Sequence, residues 1–246
     1  MSVFAFLASL LGHVADALDP LFGASAAAAA VVLITMAVRL ALHPLARSAA
    51  RGERTRAELA PRLAELKRKH RKNPERLQQE AAEMYREAGS SPLAGCLPMA
   101  VQLPVFYVMY HLFSTDGGGD LLRHTLLGAP LGDRWTDALA DGGPLGARGL
   151  VYLGLFVLVA AVATWTYVRA RKAAAAVAAP AAGDEEVPGA AVLARMGKVL
   201  PLLSFGTLVT VAVVPLAAGL YLVTSTTWTA VERLVLQPLR TPAERV

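Results

Sequence analysis

The sequence predicts an all-α polytopic membrane protein of five transmembrane helices, with a cytoplasmic antiparallel helical hairpin between the first and second spans. Three observations carry that expectation. Apolar runs recur at or near the roughly 20 residues that a helix needs to cross a bilayer core. Lys and Arg collect in alternate connecting segments. One of those segments carries two narrow apolar stripes at helical spacing. The composition agrees, with 55% hydrophobic residues and a mean hydropathy of +0.45. Several runs are apolar on all helix faces, which argues against a large soluble helical core.

Residues 1–23 are apolar at first and then amphipathic, and read as a signal-like segment or a helix lying on the outer face. The missing basic start weakens the signal reading. The first span, 24–44, contains one charge, Arg39, with Thr35 four residues earlier on the same helix face. Arg39 is about 7.5 Å of helix from Pro44, within reach of a long side chain that snorkels to the surface. A snorkelling arginine and an arginine facing a polar groove both fit the sequence.

The hairpin, 45–91, holds twelve Lys or Arg. Leu59, Leu63 and Leu66 make one stripe; Leu77, Ala81, Met84 and Ala88 make the other. Between them Asn73 suits an N-cap and Pro74 the first helical turn, while Pro61 is expected to kink or restart the first arm. The stripes are too thin for a soluble core, so the arm is expected to protrude. It reads either as a solvated charged hairpin or as a docking surface for a nascent chain, a targeting factor or lipid head groups.

The second span, 92–113, places Gln102 at mid-depth and contains the one cysteine, Cys96, so no disulfide framework or cysteine zinc site arises within the chain. The loop 114–148 has three Arg against five Asp and is expected outside, with Trp135 near the head groups. The third span is 149–168. The segment 169–198 holds five Lys or Arg and an Ala-, Pro- and Gly-rich run, read as a mobile cytoplasmic linker. The fourth span, 199–214, and the fifth, 215–236, are joined by a tight hairpin at Pro215. The tail, 237–246, is cytoplasmic. A plasma-membrane protein with its N-terminus outside satisfies every loop at once.

No catalytic signature, phosphate loop or metal-ligand spacing stands out, so neither an enzyme nor a cofactor is expected. What remains is a set of polar groups within spans: Thr35 and Arg39 in the first, Gln102 in the second, and Tyr221, Ser225 and Trp228 at i, i+4 and i+7 in the fifth. Each has an ordinary explanation alone. Thr and Ser bond back to their own helix, and Tyr and Trp favour membrane interfaces. Together they suggest a wet cavity open to the cytoplasm.

Three blocks of sequence are similar to the YidC/Oxa/Alb family of membrane protein insertases, in the five-span form typical of Gram-positive bacteria. They are "VVLITMAVRLALHPLARSA", the stretch from "LAPRLAELKRKHRKNPERL" through "GCLPMAVQLPVFYVMYHLF", and "VLPLLSFGTLVTVAVVPLAAGLYLVTSTTWTAVERLVL". The chain departs from the family pattern in three places. Ser91 stands where Asn is usual, Leu222 where a second aromatic often follows Tyr221, and Pro215 to Gly219 where the family has Pro-x-Gly. The resemblance implies that Arg39 is the groove arginine, that Thr35 and Gln102 line the groove, and that Tyr221 contacts substrate. It implies an insertase for nascent membrane proteins, acting in the lipid bilayer. The Sec translocon, the ribosome and a targeting factor are candidate partners of the hairpin, and no specific nucleic acid is expected. The short tail implies no strong ribosome docking of its own. A small-solute transporter or channel with Arg39 as its anion site is the rival reading, as is a purely structural translocon partner. The missing internal repeat and the basic hairpin speak against a transporter.

Overall fold

The computed structural model describes residues 3–70, 73–89, 107, 122–178 and 204–236. The helices are α1 (Val3–Phe22), α2 (Ala26–Ala41), α3 (His43–Lys69), α4 (Pro74–Glu87), α5 (Trp135–Ala140), α6 (Ala147–Ala178), α7 (Gly206–Val213) and α8 (Leu216–Leu236). A two-stranded antiparallel ribbon, β1 (Thr125–Leu126) and β2 (Ala129–Pro130), precedes α5. The chain forms two compact units: 1–41, 103–167 and 202–232 make the first, and 42–102, 168–201 and 233–246 the second.

In the first unit α1 packs along α2, so the chain doubles back at the Gly23–Ser25 turn. Gly23 adopts φ 51, a left-handed conformation that glycine takes without a Cβ penalty. Small residues make the close approach feasible: Ala26, Ala27, Ala28 and Ala30 of α2 are buried, with Leu11 and Ala15 of α1 in the same core. The stretch 1–23 is therefore a helix packed on the first expected span. The core continues through Tyr152, Leu155 and Val159 of α6, Val211 of α7, and Leu216, Ala217, Tyr221 and Val223 of α8. Gly219 is the contact point of three helices, since a Cβ there would lie 3.3 Å from Leu155 and 3.4 Å from Val211.

The outward faces are apolar too. Leu33, Met36 and Leu40 of α2, Val157 and Leu158 of α6, and Val209 and Val213 of α7 are exposed. A helical protein that is apolar inside and out has lipid as its solvent. Two stretches, Ala8–Ala41 and Ala147–Lys172, are long and apolar enough to cross a membrane. The first includes the reversal at Gly23, so its length is shared between two helices. α8 has 21 residues but carries Thr224, Ser225, Thr226, Thr227 and Thr229 in its middle. The span expected at 92–113 lies outside the described residues except Tyr107.

The ribbon closes over one end of this unit. Its two-residue loop, Leu127–Gly128, has φ of 51 and 90, the left-handed pair that matches the twist of a tight hairpin. Leucine at such an angle costs roughly 1–2 kcal/mol that glycine would not. After the ribbon, the carbonyls of Leu131 and Asp133 accept from the backbone N–H of Ala217 (2.9 Å) and Leu216 (2.8 Å). Those are first-turn donors of α8, which have no acceptor within their own helix. The Tyr152 hydroxyl also donates to the Asp133 carbonyl, and Arg148 pairs with Asp141 at 2.8 Å and Asp133 at 3.4 Å. Trp135 stacks edge-on against Phe156, centroids 5.2 Å apart. The described part of the 114–148 loop, from residue 122, is thus a folded cap, built on backbone hydrogen bonds that composition does not reveal.

In the second unit α3 packs against α4. Asn73 caps α4, its side chain accepting from the Arg76 N–H at 3.1 Å. Lys69 and His70 approach Glu80 across the pair, at 3.7 and 2.9 Å. α3 runs through Pro61 without a break, so the first arm does not restart there. Proline has no N–H to offer the carbonyl four residues earlier, that of Ala57, an exposed residue. α6 continues to Ala178, ten residues past the expected end of the third span at 168, so the linker begins as helix. Residues 179–198 of that linker, the start of the expected fourth span to 203, and the tail from 237 lie outside the described residues.

Candidate functional site

The first unit brings Arg39 of α2 onto α8. Its guanidinium donates twice to the Ser225 hydroxyl oxygen, from Nε at 3.1 Å and from Nη2. The two residues lie 186 positions apart in sequence. Tyr221, one turn before Ser225, is buried, and Tyr221 and Glu232 lie within electrostatic reach of the guanidinium. Arg39 itself is half-buried. Both groups arrive by helical phase. Val31, Thr35 and Arg39 follow one another at four-residue steps on the face of α2 turned away from exposed Leu33. Tyr221 and Ser225 do the same on α8.

Five of the six residues singled out in the sequence can therefore be placed. Arg39 and Ser225 are in direct contact, with Tyr221 alongside. Thr35 is buried at 5% exposure, and its hydroxyl donates to the Val31 carbonyl at 2.6 Å, within its own helix. Its proton is thereby committed to its own helix, and only lone pairs remain to accept. Trp228, three residues after Ser225, has its indole Nε1 buried without an acceptor among the described residues, as does the Thr227 hydroxyl. A buried donor without a partner costs roughly 1–3 kcal/mol, so these groups favour water or a guest. Gln102 lies outside the described residues.

Thr224, Thr226 and Thr229 each donate to a carbonyl of α8 itself, at 2.8, 2.8 and 2.9 Å. The hydroxyl-rich middle of α8 is thus self-satisfied except at Ser225 and Thr227. The sequence reading missed Glu232. It falls at i+11 from Tyr221, so the stripe Tyr221, Ser225, Trp228 continues to it, and extending that stripe by one turn finds it. Among the described residues no group of His, Cys, Asp and Glu could hold a metal ion. The chemistry of the arrangement is electrostatic: a cation, held by one hydroxyl between two helices, beside buried aromatic and hydroxyl groups.

Comparison with known proteins adds a family. The model of the family described as 60Kd inner membrane protein matches residues 18–242. Among curated proteins, the "Membrane protein insertase YidC" of Clostridium perfringens is 37% identical over 84 residues, covering 34% of this chain and 35% of that protein. The proteins of the same name from Treponema denticola and Helicobacter pylori are 36% and 37% identical over 85 and 83 residues, each match covering 15% of the relative. The matched segment thus spans about a third of the first relative's length and less of the others.

Proposed function

The chain belongs to the 60Kd inner membrane protein family, and from that premise we propose that it is a membrane protein insertase of the plasma membrane. In this reading it carries short polar segments of nascent proteins through a hydrophilic groove between α2 and α8 and releases their apolar helices into lipid. The observation that carries it is the Arg39–Ser225 contact: a cation fixed to a polar helix face inside an otherwise apolar unit. The six residues Arg39, Thr35, Gln102, Tyr221, Ser225 and Trp228 line the groove, and Glu232 stands at its lower end.

The physical task is to move polar atoms across hydrocarbon. A charged residue at the centre of a membrane helix costs about 2.5–3.5 kcal/mol on insertion scales. A carboxylate about 4 Å from a guanidinium gains about 4 kcal/mol at an effective dielectric of 20, which is the same size. Ser225 takes two of the five N–H donors of Arg39, and the other three are those we assign to water and to acidic residues of the client. The folded cap over the first turn of α8 supports a groove closed at that end, so that polar entry comes from the other. The client's apolar helix then leaves sideways, driven by transfer into lipid. No bond is made or broken, and the reading needs no cofactor.

The Lys and Arg distribution supports an outside start of α2 and 114–148 loop, and a cytoplasmic 45–91 hairpin, 169–198 segment and tail. It also supports five spans, with 92–113 as the second. The basic hairpin then faces the side where nascent chains, a targeting factor, the ribosome or the Sec translocon arrive. A cleft of about 520 Å³ between its arms, lined by Arg62, Arg68, Lys69 and Glu65 over Leu66 and Met84, suits an acidic, partly apolar guest.

The test is reconstitution of the purified chain in liposomes with a small single-span substrate. Protease-protected insertion above the protein-free level is expected. Uptake of small anions with no insertion would instead favour a transporter or channel. Neither activity without added translocon would leave only the structural-partner role.

A further inference from the structure

We infer that the tip of the β1–β2 ribbon and the end of α1 form a lipid anchor, seated in the head-group layer on the side of the membrane where α2 and α8 begin. Leu127 is the non-glycine residue with positive φ among the described residues, and its side chain is 77% exposed. A large apolar side chain held at an angle suited to glycine, and turned into solvent, gains nothing from the protein's own core. Beside it the last residues of α1, Leu21 and Phe22, are 79% and 52% exposed. The three belong to one surface. The Leu127 N–H reaches the Ser25 hydroxyl at 3.5 Å, and β1 packs on the Gly23–Ser25 turn that follows Phe22.

The level of this surface is set by the helices it touches. α2 starts at Ala26, directly after the turn, and the residue following β2, Leu131, accepts from the first turn of α8. The tip therefore lies where two helices with lipid-facing sides begin. The occupant is lipid rather than a protein, for two reasons. Residues 125–131, Thr-Leu-Leu-Gly-Ala-Pro-Leu, contain no charge that would select a partner. The helices of the same unit also carry exposed apolar side chains, Leu33 and Met36 of α2 and Leu150 and Val157 of α6, as a lipid-facing unit requires. An apolar rim at the head of a helical unit fixes its depth in the bilayer by the same transfer that seats an interfacial helix. The anchor holds the cap over α8 at the interface, and it is independent of the insertase reading.

Leu127→Cys and Leu21→Cys, each in a Cys96→Ser background, would be labelled with an environment-sensitive dye in vesicles of phosphatidylcholine and phosphatidylglycerol. Nitroxide on the lipid head group should quench both labels by roughly twofold, and iodide should quench them several-fold less than the dye on free cysteine, as for interfacial side chains. Iodide access equal to the free dye, with no nitroxide quenching, would overturn the anchor. So would a label at position 127 that neither agent reaches, because the side chain would then be packed against protein.

Discussion

Replacing Arg39 separates a working groove charge from a structural one. Arg39→Ala removes the cation and leaves Ser225 without its donor. For a client whose outgoing segment carries one Asp, the lost attraction starts from about 4 kcal/mol at contact in an effective dielectric of 20. Glu232 competes for the same guanidinium, and the client carboxylate gives up part of its hydration to reach it. A net of about 1–1.5 kcal/mol is left, or a five- to tenfold lower insertion yield at 1.4 kcal/mol per decade. A neutral outgoing segment loses only the groove's hold on water, and its yield should fall by roughly twofold at most. The assay is protease protection of matched acidic and neutral substrates in proteoliposomes at equal protein level. Arg39→Lys should keep most of the difference between the two, because a point charge still attracts a carboxylate, though it cannot address Ser225 through two nitrogens. Arg39→Glu should reverse the preference. If the Ala and Glu variants insert both substrates as well as the unmodified chain, the charge is an anchor at the membrane edge and the electrostatic mechanism is wrong. A collapse of both substrates together in the Ala variant, with a lowered melting temperature, would locate the role of Arg39 in holding α2 to α8.

Other perturbations probe the surrounding parts. Glu232→Gln takes away the resident competitor for Arg39, so acidic clients should insert about two- to fivefold better while neutral ones stay unchanged, a ratio read in the same assay; equal effects on both would remove Glu232 from the groove. Gly219→Leu forces a branched side chain between Leu155 and Val211, so thermal unfolding in detergent should show a loss of about 1–3 kcal/mol, with Gly219→Ala much milder. Burial, partly opposed by Arg148, raises the Asp133 carboxyl above its ordinary value of 3.8. Its contribution to stability is therefore complete below that ordinary value and is lost as pH rises through the folded one. Asp133→Asn should accordingly stabilise the cap more at pH 7 than at pH 4, with Asp141 still pairing Arg148, and melting curves that show the reverse order would refute the sign. Cysteines at Gly118 and Gly183 in the Cys96→Ser background should label from opposite sides of the membrane, and equal access from the outer side would overturn the topology.

How far the sequence reached depends on which physics decides each part. Helix existence and the polar face of α8 follow from local periodicity, so Tyr221, Ser225 and Trp228 were legible as one stripe, and Thr35 with Arg39 as another. Which stripe meets which is a matter of tertiary packing. The sequence grouped Arg39 with Thr35, Gln102, Tyr221, Ser225 and Trp228 without saying which would touch it; the contact is with Ser225, 186 positions away. The cap was less legible still. Its stabilising contacts are backbone carbonyls of Leu131 and Asp133 given to α8, and carbonyls carry no side-chain signature. Pro61 shows the opposite limit, a strong local breaker that does not interrupt α3, with the residue four positions earlier, Ala57, exposed.

These limits also explain why a charge in a membrane helix can be read correctly as unusual and still be ambiguous. Snorkelling and groove lining differ only in what lies opposite Arg39, and the sequence around residue 39 is silent on that. The structure supplies the opposite wall, a helix whose threonines bond to themselves while Ser225 turns its oxygen to the guanidinium. If those threonines bonded outward, α8 would present a continuous polar strip and one cation would matter little. Because Thr224, Thr226 and Thr229 are closed on their own helix, polarity is concentrated at Arg39, Ser225 and the unpartnered donors of Thr227 and Trp228. Charge and hydrogen-bond capacity are thus focused at one depth, near the C-terminal end of α2. A client's polar segment would meet its largest electrostatic gain early in its path, before the apolar half of the groove. This is the placement that lowers a barrier to entry without trapping the segment at the far side.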